Sequence, residues 1–196
     1  MTGIILAGGE NRRMGTDKAF LDIAGRPLIE HILKPLRSLC DTIIIVTNSP
    51  ERYAAYDVTV VTDLFNKRGP LTGIYSGLKS SKDEYNFVVA CDMPYLNRDL
   101  MAYMAGLAEG YDVVVPAVGD LMEPLHAVYR KTLIPAMEEQ IRQDDQRIRR
   151  LFATLRVRYV DQEEIDRFDP ERKSFKNLNT PQQYEEAACA DWECRS

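Results

Sequence analysis

Two histidines in 196 residues leave little room for nucleophilic catalysis of the Ser/His/Asp or Cys/His kind, and no such set emerges around His31 or His126. His31 falls on the apolar side of a predicted helix, where a satisfied boundary residue is expected, and His126 stands at a predicted strand start. The four cysteines, Cys40, Cys91, Cys189 and Cys194, form no CxxC pair and no zinc spacing. Cys40 and Cys91 border apolar runs and are expected to be buried thiols, whereas Cys189 and Cys194 belong to a polar tail. No apolar run approaches a membrane span, and MTGIILAGG has neither a basic leader nor a cleavable apolar region, so a cytoplasmic protein without a membrane partner is expected. Acidic residues outnumber basic ones, 30 to 25, and the net charge of −5 disfavours non-specific nucleic-acid binding. Neither a Walker A loop nor a GxGxxG fingerprint occurs, which removes the main support for a P-loop or dehydrogenase reading. Repeats and low-complexity segments are absent.

What is present begins at Gly3. Ile4, Ile5, Leu6 and Ala7 form a short apolar run without helical spacing and read as a buried strand. Gly8 and Gly9 end it, leaving backbone N–H groups free of side chains where they can cradle an anion. Arg12, Arg13 and Lys18 follow, so the loop offers three cations suited to a di- or triphosphate. A tight turn with solvated arginines is the plainer reading, and the clustering of those cations with Asp17 weighs against it.

Further on, strand and helix patterns alternate. A helix is predicted from Pro27 to Leu39, kinked or broken near Ile32 to Pro35 by its interior proline. Strands are predicted over 42–47, 58–62, 86–90, 112–116, 125–129 and 157–160, with helices over 73–80, 98–107, 132–143 and 147–155 and from Pro181 onward. Asn97 is the expected cap of the helix at 98. This alternation predicts one α/β domain with a mostly parallel sheet covered by helices on both faces. In such sheets ligands bind outside the carboxyl ends of the strands. The first four strands end on Gly8/Gly9, Asn48, Asp63 and Asp92, which would therefore share one cleft.

Each of these groups admits a second role. Asp92 follows a wholly apolar strand and could bridge Mg²⁺ to phosphates or merely cap a turn, and Asp63 beside it favours a paired acidic site. Asn48 could bond a base or ribose, or cap the next turn. The arginines 142, 147, 149, 150, 156 and 158 could form a solvated face or an anion site. Asn177 and Asn179, in NLNTP, could contact a ligand or cap the terminal helix.

LAGGENRRMGTDKA, followed in order by GPLTGI, CDMP and NLNTP, resembles the molybdenum cofactor guanylyltransferases of the MobA type, among the nucleotidyltransferases. The resemblance implies a Rossmann-like fold of the nucleotide-diphospho-sugar transferase type. It implies a single domain over 1–188, with a GTP-binding half near 1–95, an acceptor-binding half over 96–188, and a tail at 189–196. Leu6, Ala7 and Gly8 would lie along GTP, with Gly9 completing the turn, Lys18 on its phosphates, Asn48 and Asp63 as further nucleotide contacts, and Asp92 as both a nucleotide contact and the Mg²⁺ ligand; Arg13 would share in neutralising the phosphate charge. Asn177 and Asn179, with arginines of the basic segment, would meet the pterin, and EPLHAVYR resembles the segment beside the acceptor site. GMP would pass from GTP to the terminal phosphate of molybdopterin or molybdenum cofactor, in a monomeric enzyme whose further partners would be apo-molybdoenzymes. Rival readings are a cytidylyl or sugar-1-phosphate nucleotidylyl transferase, or a non-catalytic nucleotide- or cofactor-binding module.

Overall fold

Strands rich in β-branched residues on both faces are stable only where helices cover both sides of the sheet. In the computed structural model, which describes residues 1–8, 18–65 and 69–189, Thr2–Leu6 (β1) is buried at every position. The chain continues through Asp22–Ile23 (β2), Arg26–Pro27 (β3), Leu28–Leu39 (α1), Thr42–Val46 (β4), Thr59–Val61 (β5), Pro70–Ser80 (α2), Tyr85–Ala90 (β6) and Arg98–Gly106 (α3). Val113–Val118 (β7), Leu121–Met122 (β8), His126–Arg130 (β9), Ile134–Arg142 (α4), Ile148–Phe152 (α5), Val157–Val160 (β10), Gln162–Asp166 (α6) and Pro181–Cys189 (α7) complete it.

The main sheet runs β10-β7-β9-β6-β1-β4-β5, with β8 paired to β7. Strands β4, β1 and β6 are parallel neighbours, and Leu6 is in register with both Val46 and Ala90. Their carboxyl ends therefore finish at one edge. Strand β9 runs antiparallel to both β6 and β7 and enters from that same edge. Alternate side chains of β1 feed two cores: Ile5 packs with residues of α1, α3 and α7, while Ile4 and Leu6 pack with residues of α2, α4 and α5.

Helix α1 runs unbroken through Pro35, so of the kink or break its sequence predicts the break does not occur. An interior proline costs about 3 kcal/mol. Leu28, Ile29, Ile32, Leu33 and Leu36 are all buried, and each such side chain contributes about 1.5–3 kcal/mol, so packing of this face outweighs the lost hydrogen bond. The β2–β3 hairpin turns through Ala24 and Gly25, both at positive φ (51° and 81°), as a two-residue hairpin turn of that hand requires. Asn97 caps α3 as expected, accepting from the N–H groups of Asp99 and Leu100.

Gly77 brings α2 close to the sheet. A Cβ there would lie 2.5 Å from Cγ2 of Ile4 and 3.3 Å from Cγ2 of Val46. Gly77→Ala is expected to destabilise the protein by about 1–3 kcal/mol through overpacking, offset in part by better helix propensity. Denaturant unfolding checks this.

Candidate active site

Backbone hydrogen bonds sew the strand ends together. The Ala7 N–H donates to Val46 O (2.8 Å), Cys91 N–H to Leu6 O (3.1 Å), Thr47 N–H to Val61 O (2.9 Å) and Ala90 N–H to Leu125 O (3.1 Å). Gly8, Asn48, Asp63 and Asp92 consequently stand along one edge, where the parallel-sheet rule places a ligand. Leu6 and Ala7 are buried, so they can offer a ligand main chain only. Gly8 is exposed, and a Cβ on it would sit 3.6 Å from Asp63 Oδ2. Gly9, Arg12, Arg13, Lys67, Arg68 and Cys194 lie outside the described residues.

The carboxylates here are under-satisfied. Asp63 accepts from Asn48 Nδ2 at the long limit of 3.5 Å through Oδ2, while its Oδ1 is buried without a partner among the described residues. Burial pushes the Asp63 carboxyl up from its ordinary pKa, against the pull of Asn48. Asp92 Oδ1 is likewise buried and unpartnered among the described residues. Burial raises its pKa too, opposed by the nearby charge of Lys18.

The NLNTP turn closes on the Asp92 main chain from the far end of the chain. Leu178 N–H donates to Asp92 O at 2.9 Å. Lys18 Nζ donates to Asn179 Oδ1 at 3.1 Å. Asn177 Oδ1 is a third buried acceptor without a donor among the described residues. Thus Lys18, Asp92 and Asn179 come together, although Lys18 and Asn179 are separated by 161 positions.

Sequence reasoning missed Glu123. It precedes β9 as Asp92 follows β6, and its Oε1 accepts from Leu125 N–H at 3.3 Å. Burial raises its pKa, Asp92 adds to that rise and Arg149 opposes it, which places Glu123 in the same electrostatic neighbourhood. The available signal was a charged residue bordering the apolar strand in EPLHAVYR.

The basic segment separates into two groups. Arg142 pairs with Glu138 at 2.6 Å and Arg158 with Glu164 at 2.5 Å, while Arg156 lines a cavity at the opposite edge beside Met1 and Arg130. Nearer the site, Arg147 and Arg150 grip the buried Asp145 (2.7 and 2.8 Å), and Arg149 donates to Asp120 O at 3.2 Å. Hydrogen bonds from Arg147, then from Arg150, hold the Asp145 carboxyl well below the usual range. Gln146 seats this segment on α2, accepting from Thr72 N–H at 3.3 Å and donating to Thr72 Oγ1 at 3.0 Å.

Cys40 and Cys91 are buried, as expected, and burial pushes the Cys40 thiol up to about 12. Among the described residues no three His, Cys, Asp or Glu side chains converge as a metal cage. Such a cage is unnecessary for Mg²⁺, a hard cation commonly held by one or two carboxylates and substrate phosphates. The buried, donor-less oxygens of Asp92 and Asn177 fit that chemistry.

A mostly parallel sheet, a glycine at the end of its first strand, and a lysine and a carboxylate converging there fit a nucleotidyltransferase of the parallel-sheet class. More particularly, residues 3–162 match the MobA-like NTP transferase domain, and the chain belongs to that family. It is 40% identical over 192 residues to the molybdenum cofactor guanylyltransferase of Desulfosudis oleivorans, covering 97% of this chain and 95% of that one. The enzyme of the same name from Syntrophotalea carbinolica is 37% identical, covering 94% and 89%. Among solved structures, molybdopterin-guanine dinucleotide biosynthesis protein A of Archaeoglobus fulgidus is similar at a TM-score of 0.83 and 28% identity, covering 96% of this chain and 97% of that one. The 4-diphosphocytidyl-2C-methyl-D-erythritol synthase of Anaerococcus prevotii, 15% identical with a TM-score of 0.72, shares the fold over 95% of both chains. Among the described residues no helix is long and apolar enough to cross a membrane.

Proposed function

We propose that this protein transfers GMP from GTP to the terminal phosphate of molybdopterin or molybdenum cofactor, yielding the guanine dinucleotide and pyrophosphate. The observation that carries the proposal is the meeting of Lys18, Asp92 and the 177–179 turn at the sheet edge where a nucleotide binds. The names of the full-length relatives supply the base and the acceptor. Gly8, Asn48 and Asp63, with the main chain of Leu6 and Ala7, form the nucleotide side, approximately residues 1–95. The acceptor side, over 96–188, holds Glu123, Arg149 and the Arg147–Asp145–Arg150 clamp.

An oxygen of the acceptor's phosphate monoester attacks the α-phosphorus of GTP, a new P–O bond forms, and the bond to the bridging oxygen of the β-phosphate breaks to release pyrophosphate. That oxygen is already anionic at neutral pH, so no general base is needed. The protein's part is in-line positioning and charge neutralisation, with Lys18 and Arg13 on the phosphates. Asp92, with Asn177 Oδ1 as a second oxygen, would hold Mg²⁺, which when bound supplies further charge neutralisation on the phosphates.

Incubation with GTP, Mg²⁺ and molybdopterin, followed by analysis for the dinucleotide, tests this directly. GTP is expected to turn over at least about tenfold better than CTP or UTP, because a site that hydrogen-bonds one base leaves buried groups unpaired with another. Preference for CTP or UTP would favour a cytidylyl or sugar-1-phosphate transferase. GTP binding without pyrophosphate release, with acceptor present, would favour a non-catalytic module.

A further inference from the structure

We infer that Asn179 is a positioning residue for Lys18, and so acts on the nucleotide side of the site rather than on the acceptor. The inference rests on the assignment of Lys18 to the nucleotide phosphates under the proposed function.

The main chain at Lys18 is anchored. Lys18–Phe20 forms one 3-10 turn, Leu21 N–H donates to Lys18 O at 3.2 Å, and Ala19 is fully buried. Phe20 packs on Tyr53 and Tyr56 at ring separations of 5.0 and 6.4 Å, with the Arg52 guanidinium 4.8 Å from its ring centre. The side chain is a different matter. A lysine carries four rotatable bonds and about 2 kcal/mol of rotamer entropy, so an anchored Cα leaves the ammonium unplaced.

Asn179 supplies a partner for the ammonium from a main chain that is itself anchored. Its N–H donates to Gln183 Oε1 at 2.7 Å, and Thr180 N–H donates to the same oxygen at 3.1 Å. Gln183 N–H returns a bond to Thr180 Oγ1 at 3.3 Å, which caps the start of α7 reciprocally. On the other side, buried Leu178 bonds the Asp92 carbonyl, and Tyr184 OH donates to Leu178 O at 3.0 Å. From this anchored main chain the shorter side chain of Asn179, with two rotatable bonds against the four of lysine, sets its amide oxygen 3.1 Å from Lys18 Nζ. An ammonium has three donors, so two remain for phosphate oxygens once Asn179 takes one. The contact therefore need not break when a nucleotide binds. One turn holds both the lysine, through Asn179, and the metal-binding strand end, through Leu178.

The test uses the full-length protein. Calorimetry with the α,β-methylene analogue of GTP and Mg²⁺ measures nucleotide affinity, and steady-state transfer separates kcat from the acceptor KM. Asn179→Ala is expected to weaken analogue binding about 3- to 10-fold and to lower kcat, with the acceptor KM within twofold of the parent value. Asn179→Gln, which keeps an amide oxygen within reach, should recover the analogue affinity to within threefold. In a Lys18→Ala background, Asn179→Ala should add no further loss, since the interaction it removes is already gone. Unchanged analogue affinity with a raised acceptor KM would overturn the inference, as would losses that multiply in the double variant. Absence of transfer by the parent protein would instead overturn the proposed function, and calorimetry would still decide the role of Asn179.

Discussion

Asp92→Ala is expected to lower guanylyl transfer by about a thousandfold or more while leaving the melting temperature unchanged or higher. The two halves of that result come from different atoms. The fold uses the Asp92 main chain, whose carbonyl accepts from Leu178 N–H at 2.9 Å, and alanine keeps that carbonyl. The carboxylate contributes no comparable support: Oδ1 is buried without a partner among the described residues, and burial raises its pKa, meaning that folding disfavours its charge. A charge the fold is worse off for holding is best explained by a ligand that needs it. Turnover with GTP and molybdopterin, beside a thermal melt of the same preparations, checks both halves. Near-parent transfer would remove the cation from the mechanism, and a melting temperature several degrees lower would make Asp92 a structural residue. Asp92→Asn keeps the shape and removes the charge, so it should share the loss of activity.

The strand-end logic that exposed Asp92 in the sequence also exposed Gly8, Asn48 and Asp63, because apolar runs alternating with helices imply parallel strands whose ends coincide. Strand direction was less visible. The run at β9 is apolar whichever way it is threaded, so its antiparallel course, and with it the placing of Glu123 beside Asp92, required the tertiary structure. The same holds for the arginines. Arg147, Arg149 and Arg150 are equivalent by composition, and only Asp145 and the Asp120 carbonyl distinguish them. Two-residue strands such as β2 and β8 lie below the length at which alternation can be read. Helix α1 misled for an energetic reason, since the local cost of Pro35 is visible in sequence and the burial that exceeds it is not. The meeting of Lys18 with Asn179 was hidden by chain separation alone, although both residues had been singled out.

Between pH 6.5 and pH 4.5 the protein is expected to lose about 2–3 kcal/mol of stability through His126 alone. The ring is fully buried, packed edge-on against Phe87 and Phe175 at 5.3 Å each, and neither nitrogen has a hydrogen-bond partner among the described residues. Burial lowers its pKa to about 4 from the ordinary 6.5, although Asp169 nearby pulls it upward. The folded state therefore binds this proton less readily than the unfolded state. The resulting stability is complete above about 6.5 and drains away as pH falls toward 4, at about 1.4 kcal/mol per unit. The stabilised carboxylates act below this window: Glu164, held at about 2 chiefly by Arg158 and Tyr103 against its burial, loses its contribution only once its unfolded form begins to protonate near 4.5. Urea unfolding at pH 7.5, 6.0, 5.0 and 4.5 should trace the decline, and His126→Leu should flatten it. A parent curve that stays level, or a variant that keeps the slope, would show that the imidazole is not titrating in place. Because the folded ring keeps its pKa at about 4, it stays mostly neutral in the native protein down to that pH, so Phe175, which leans on it, and the turn carrying Asn177 and Asn179 two residues on should hold their places while the stability declines.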